Sequence, residues 1–154
     1  MSTTGTDRIE KKVLLKAPRS RVWRALTHAK EFGKWFGFEA EGSFAPGSQV
    51  HGRITHKGYE HLTMEITIER MEPERLVSWH WHPHAVEPGV DYSSEPTTLV
   101  VFELKEVPEG TLLTVVESGF DRIPLARRAQ AHRMNDEGWA AQMKAIEQHL
   151  AKAS

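Results

Sequence analysis

The residues with the widest choice of chemistry in this sequence are its histidines. There are nine, and three of them, His80, His82 and His84, stand at alternate positions in one short stretch. Imidazole binds transition metals and exchanges protons near neutral pH. Crowded histidines are more commonly surface residues, so a metal site needs a further ligand close to them.

The turns predict a strand register that places a carboxylate beside two histidines. A three-residue turn at 57–59 pairs His51 with Glu65, and a two-residue turn at 72–73 pairs Glu65 with His80. Opposed side chains lie ~5 Å apart at Cβ, which puts His51, Glu65 and His80 in a row on the outer face of a sheet. Two imidazoles and a carboxylate can hold a metal ion. A flat, open face offers few groups to orient such ligands, so we interpret the row as an exposed charge ladder.

Glu117 is the carboxylate best placed to act inside the protein. It shares strand parity with Leu113 and Val115, so an unbroken strand would point its side chain inward. Burying a carboxylate is costly unless it is paired, hydrogen-bonded or protonated. An inward Glu117 would therefore anchor a ligand or belong to a structural pair. We expect instead that the strand ends or bulges there and that Glu117 reaches solvent.

Catalytic motifs are absent from the sequence. It has no Gly-x-Ser-x-Gly elbow, no P-loop and no His-Glu-x-x-His zinc motif, and it contains no cysteine. We therefore predict no cofactor and no resident metal. An acid–base enzyme would have to combine Glu117 with a histidine at a pocket mouth.

The elements that must position these residues begin with a strand and two short helices. Residues 9–16 alternate as a strand, and Pro18 suits the first turn of a helix that runs to Leu26. Thr27 can cap a second helix that runs to about Trp35.

From residue 38 to residue 119 the apolar residues recur with a period of two, which is typical of antiparallel strands with one buried face. Residues 83–96 contain three prolines and predict a long loop. Residues 121–134 are basic and mixed, with at most a short helix. A long helix follows, capped by Asn135 or Asp136, whose apolar stripe is Trp139, Met143, Ile146 and Leu150.

Laying this stripe on the apolar face of the sheet gives an α+β fold with one core. The inward-facing residues would either fill that core or form the wall of an apolar ligand pocket. They are Trp35, Met64, Trp79, Trp81, Phe102, Trp139 and Met143.

Composition limits the partners. The chain has 154 residues, and we predict one domain over 8–152 preceded by a flexible segment at 1–7. Its 20 basic and 21 acidic residues give no field that attracts polyanions, which argues against a nucleic-acid partner. The sequence has no apolar run of the ~20 residues that a membrane span requires. Residues 1–8 are polar and lack the apolar core of a signal peptide, and the absence of cysteine fits the cytoplasmic location that we expect.

Several motifs occur in an order that resembles a known group. They are Ala-Pro-x-x-x-Val-Trp-x-x-Leu-Thr at 17–27, Trp-Phe at 35–36, Gly-Thr-x-Leu-Thr at 110–114, Glu-Ser-Gly-Phe at 117–120 and Gly-Trp at 138–139. Together they resemble the START-like, or SRPBCC, superfamily. Within it, they are most similar to the branch related to activators of the heat-shock protein 90 ATPase.

The resemblance implies a helix-grip fold, in which a curved antiparallel sheet wraps around a long C-terminal helix and two short helices follow the first strand. Superfamily relatives hold lipids, sterols or polyketides in a cavity between sheet and helix, and a few are cyclases or hydrolases. We expect a lipophilic ligand to contact the inward-facing residues, and also Glu117 if its side chain points inward. A cyclase or hydrolase, a homodimer and a chaperone-associated module are alternatives. The eukaryotic co-chaperones carry an additional N-terminal domain, whereas only about eight residues precede the first strand predicted here.

Overall fold

An antiparallel sheet with helices on one face forms the body of the protein. The structure, a computed structural model, describes residues 8–82 and 94–152. The strands are β1 (Arg8–Leu15), β2 (Gln49–Arg53), β3 (Thr63–Glu72), β4 (Leu76–Trp81), β5 (Thr98–Val107) and β6 (Gly110–Ser118). The α-helices are α1 (Arg19–Thr27), α2 (Ala29–Phe36) and α3 (Leu125–Lys152), and a 3₁₀ turn spans Phe120–Arg122.

The connection from β1 to β2 passes from one edge of the sheet to the other. The strand order is β1-β6-β5-β4-β3-β2, so β1 and β2 lie at opposite edges and α1 and α2 connect them. Every pairing is antiparallel. The other strands follow as neighbours, and α3 returns across the sheet. This is the predicted α+β helix-grip fold, and the prediction is confirmed.

An aromatic cluster forms the centre of the core between sheet and helices. The ring of Trp79 lies 5.0 Å from that of Trp81 and 6.0 Å from that of Phe102 between centroids. Phe36 of α2 lies 5.8 Å from Trp139 of α3. Most of these pairs are edge-to-face or tilted, which suits aromatic quadrupoles but fills space unevenly.

α3 is longer than predicted, since it runs for 28 residues from Leu125. Asn135 and Asp136 therefore lie inside the helix, and the predicted start there is wrong. Residues 125–134 contain no glycine or proline and are rich in alanine and arginine, which favour helix. The predicted apolar stripe is buried from Trp139 to Leu150.

The helix cap predicted at Thr27 is also wrong. Thr27 ends α1, where its hydroxyl donates to the carbonyl of Trp23 at 2.7 Å. His28 is the cap residue of α2, and it makes no side-chain capping bond. Thr27 therefore satisfies its hydroxyl within the preceding helix.

The histidine register is half right. His51 pairs with Glu65 as predicted. His80 instead pairs with Thr67, so the row of three side chains does not form. The β3–β4 turn is one residue longer than predicted, with Glu74 in a left-handed conformation, and a bulge follows Ile68.

The predicted loop at 83–96 lies outside the described residues except at its end, as does the predicted flexible segment at 1–7. Among the helices described, none combines the length and apolar character that crossing a bilayer would require.

Glu31 of α2 ties the helices together. Its carboxylate meets Arg21 of α1 at 2.5 Å, Arg24 of α1 at 3.3 Å and His149 of α3 at 2.8 Å. Burial raises the pKa of Glu31, but the hydrogen bonds from His149 and Arg21 outweigh burial and hold the pKa below its ordinary value of 4.5. The charged carboxylate therefore stabilises the fold.

Replacing Glu31 with glutamine should lower the free energy of unfolding near neutral pH by about 1 kcal/mol, after allowance for solvent screening. Because the folded-state pKa is lowered, the wild-type advantage is complete above 4.5 and is lost as the pH falls through the lower value. Urea denaturation of both proteins across this pH range checks the prediction. Glu147→Gln, an exposed change on α3, is the control. A deficit that persists unchanged into acid would contradict the electrostatic account.

Candidate functional site

A cleft of about 480 Å³ lies between α3, the end of α2 and one end of the sheet. Gly138 and Ala141 of its wall are exposed, so the cleft opens to solvent. Its lining residues are Trp35, Phe36, Gly37, Ile54, His56, Thr63, Met64, Glu65, Trp81, His82, Asn135, Gly138, Ala141, Gln142 and Ala145. The wall is mainly apolar with a few polar groups, which is the usual composition of small-molecule sites.

The end of α2 forms one wall because the helix stops at a left-handed glycine. Gly37 caps α2 with φ 112°. The positive φ favours glycine, and a Cβ there would lie 2.2 Å from Nε2 of His56 and displace that ring. His56 in turn bonds the carbonyl of Phe36 at 3.2 Å. The chain reversal thus brings an aromatic ring and an imidazole to the same wall.

One side of α3 forms the opposite wall. Asn135, Gly138, Gln142 and Ala145 recur at helical spacing, with Ala141 beside them. The bulkier stripe of the same helix, which includes Trp139 and Met143, is buried against the sheet. The cleft therefore lies where α3 presents small side chains.

A buried carboxylate holds the two sides of the cleft together. Glu117 is fully buried on β6. One carboxylate oxygen accepts from the indole of Trp139 at 2.8 Å and the amide of Asn135 at 2.9 Å. The other accepts from the indole of Trp81 at 2.7 Å and the hydroxyl of Thr98 at 2.5 Å. All of these partners are neutral donors, which match the acceptor capacity of an ionised carboxylate.

The expectation that Glu117 reaches solvent is wrong. β6 continues unbroken through Glu117, which pairs with Ile9 on one side and Val100 on the other. Strand parity therefore directs the side chain inward. Glu117 does not line the cleft; it bonds Trp81 and Asn135, which do.

The predicted site residues fall into two groups. Trp35, Met64 and Trp81 line the cleft. The others lie in the core behind it, namely Trp79, Phe102, Trp139 and Met143. The indole nitrogen of Trp79 is buried and has no hydrogen-bond partner within the part of the chain described.

His51, Glu65 and His80 are not brought together. His80 bonds Glu69 at 3.1 Å on the outer surface, and Glu65 reaches the edge of the cleft. Across residues 8–82 and 94–152, no group of three or more histidine or acidic side chains is arranged to hold a metal ion.

A comparison with protein families shows which family this chain belongs to. The family described as Activator of Hsp90 ATPase homolog 1-like protein matches residues 16–151. The chain belongs to this family. No curated protein matches it.

Solved structures agree with the fold of this Hsp90-activator-like family. MLL2253 from Mesorhizobium loti has a TM-score of 0.76 and 22% identity, with 96% of this chain and 98% of that chain covered. The Aha1 dimer from Colwellia psychrerythraea has a TM-score of 0.70 and 20% identity, with 93% and 95% covered. DynU16, from the dynemicin biosynthetic locus, has a TM-score of 0.72 and 23% identity, with 96% and 48% covered, so this chain spans about half its length. Identities this low show the fold alone.

Several cleft residues of this family member were not among the predicted site residues. His56, Asn135 and Gln142 supply polar groups, and Gly138 and Ala141 supply space. The family's Gly-Trp motif at 138–139 lies in the middle of α3 rather than at its start. A glycine in mid-helix beside alanines was the available signal, because glycine there weakens a helix and needs a reason.

Replacing Glu117 with glutamine should lower the free energy of unfolding by about 3 kcal/mol, because the new amide group turns a donor toward buried donors. Urea denaturation near neutral pH measures the change. Glu103→Gln, an exposed change on the neighbouring strand β5, should have little effect. Equal stability of Glu117→Gln and wild type would show that the carboxylate does not hold helix to sheet.

Proposed function

We propose that this protein binds a lipophilic small molecule in the cleft between α3 and the sheet. The observation that carries the proposal is the cleft itself, about 480 Å³ in volume with Trp35, Phe36, Met64 and Trp81 in its wall. Aromatic and sulfur-containing side chains offer large apolar contact to a ligand. The polar groups of the wall are few enough to orient a ligand without making the site hydrophilic.

Gly138 gives independent support. Glycine within a helix costs about 1 kcal/mol relative to alanine. Apart from its chain neighbours and the backbone of α3 itself, no described atom lies within 4 Å of the position that a Cβ on Gly138 would occupy, so packing against the rest of the protein does not require glycine there. A glycine without a packing reason, on the wall of an open cleft, leaves space for an occupant.

The family adds context. DynU16 belongs to a biosynthetic locus, which suits a fold that handles small molecules. The superfamily resemblance implies lipophilic ligands held between sheet and helix, the position of this cleft. Fold does not dictate function, so the cleft residues of this chain carry the proposal.

Binding is favoured over a cyclase or hydrolase that uses Glu117 as a base. The groups that bond Glu117 are two indoles, a hydroxyl and an amide, none of which titrates in the physiological range. Its oxygens are engaged by the protein, and the residue stands behind the wall rather than in it. A general base needs reach to the substrate proton.

Gly138→Leu should weaken binding of the neutral fluorescent probe N-phenyl-1-naphthylamine by at least about tenfold, which corresponds to ~1.4 kcal/mol. The leucine side chain would fill space that the ligand needs. The same change should raise helix stability, by up to ~1 kcal/mol, so lost binding would not reflect unfolding. Probe titration and thermal denaturation measure the two effects.

Ala140→Leu places the same leucine side chain at an exposed position of α3 outside the cleft, and it should leave probe affinity unchanged. Equal probe affinity in wild type and Gly138→Leu would place the probe elsewhere and remove the support for the cleft as a ligand site.

A native mass spectrum of protein purified without added ligand should contain extra mass that organic extraction removes. The same spectrum reports the oligomeric state, and the Colwellia relative is a dimer. Homodimerisation of this chain stays a prediction. If the spectrum shows no small-molecule mass and all added mass comes from bound protein chains, an interaction module is favoured instead.

A further inference from the structure

The indole donors of the cleft wall are already bonded to the protein. The Trp35 nitrogen donates to the carbonyl of Ala25 at 2.9 Å, and the Trp81 nitrogen donates to Glu117 at 2.7 Å. Indole has no acceptor. These two rings therefore offer a ligand apolar surface and no hydrogen bond.

The two histidines of the wall are used in the same way. Nε2 of His56 bonds the Phe36 carbonyl at 3.2 Å, and Nε2 of His82 bonds the Glu95 carbonyl at 3.0 Å. A carbonyl oxygen only accepts, so each Nε2 must carry the proton. The other ring nitrogen, Nδ1, is an acceptor whenever the ring is neutral.

The two amides are oriented by their own bonds. Nδ2 of Asn135 donates to both oxygens of Glu117 at 2.9 and 3.1 Å, and Nε2 of Gln142 donates to the Phe36 carbonyl at 2.8 Å. These bonds distinguish nitrogen from oxygen in each amide. Oδ1 of Asn135 and Oε1 of Gln142 accept no bond within the described part of the chain, so neither oxygen is committed to these residues.

The described part of the cleft wall contains an acidic residue, Glu65 at its edge, and no lysine or arginine. The carboxylate of Glu117 lies directly behind Trp81 and Asn135. The remaining side-chain donors are the second hydrogens of the Asn135 and Gln142 amides and the hydroxyl of Thr63, which also accepts. Acceptors therefore outnumber donors in the cleft.

From this balance we infer that the cleft selects lipophilic molecules that donate hydrogen bonds, such as an alcohol, a phenol or an amine, and rejects carboxylates. The inference rests on the proposed function and names the ligand class of the same site, with Oε1 of Gln142 among the acceptors. A carboxylate ligand would lose its hydration and meet lone pairs and negative charge, whereas a donor group would satisfy acceptors that a bound apolar skeleton shields from water.

Isothermal titration calorimetry with a matched set of naphthalenes tests the inference. We expect 2-naphthol to bind about tenfold more tightly than 2-methoxynaphthalene, which keeps the skeleton but cannot donate. The 2-naphthoate anion should bind more weakly than the ether. Comparison with 2-naphthylmethylamine shows whether a hydroxyl or an ammonium is the better donor. Naphthoate binding more tightly than naphthol would overturn the inference.

Gln142→Met keeps the length of the side chain and removes its hydrogen-bonding groups. It should reduce the preference for naphthol over the ether several-fold, measured as the ratio of the two affinities in the same variant. Gln148→Met, at an exposed position of α3 outside the cleft, is the matched control and should keep the wild-type preference. A preference that survives Gln142→Met would contradict the role of Gln142.

The same titrations separate failure of the inference from failure of the proposed function. If naphthol and the ether bind with equal affinity and both lose binding in Gly138→Leu, the cleft is a lipophile site without donor selection. The inference then fails and the proposed function stands. If no compound of the set binds, both proposals fail.

Discussion

The rest of the structure depends on the burial of one carboxylate. A buried, ionised glutamate is tolerated only when its oxygens are fully hydrogen-bonded. The donors to Glu117 come from Trp81 of β4, Thr98 of β5, and Asn135 and Trp139 of α3. Because they lie far apart in sequence, they meet only when α3 lies across the sheet in one position. The requirement to satisfy Glu117 therefore specifies how the helix is docked.

That docking also determines where the molecule is filled and where it is open. Trp139, Met143 and Ile146 of α3 pack against the sheet and are buried. Gly138, Ala141 and Ala145 of the same helix are too small for their side chains to reach the opposing wall. Aromatic rings that meet at steep angles hold sheet and helices apart. A filled core and an open cleft thus coexist along one helix.

Much of the fold was predictable from local patterns, whereas the site was not. Period-two alternation predicted the strands, and the apolar stripe of α3 predicted its buried face. The start of α3 was missed because Asn135 is a plausible cap only if the preceding residues are not helical. The pairing of His80 was missed because a single bulge after Ile68 and a longer turn shift the partner strand. Short-range patterns do not encode such shifts, which depend on packing across the sheet.

The site was harder because its chemistry lies in hydrogen bonds between distant residues. The parity of Glu117 allowed an inward side chain, but nothing near it in sequence named its donors. Those donors are neutral, and the absence of a positive charge among them affects the charge balance next to the cleft. An arginine partner would have brought a compensating positive charge to the wall, whereas indole, hydroxyl and amide groups satisfy the oxygens and leave the negative charge in place. The same bonds turn the amide oxygen of Asn135 away from Glu117. The way in which the protein buries one carboxylate thus leaves the described wall of the cleft with hydrogen-bond acceptors and no lysine or arginine.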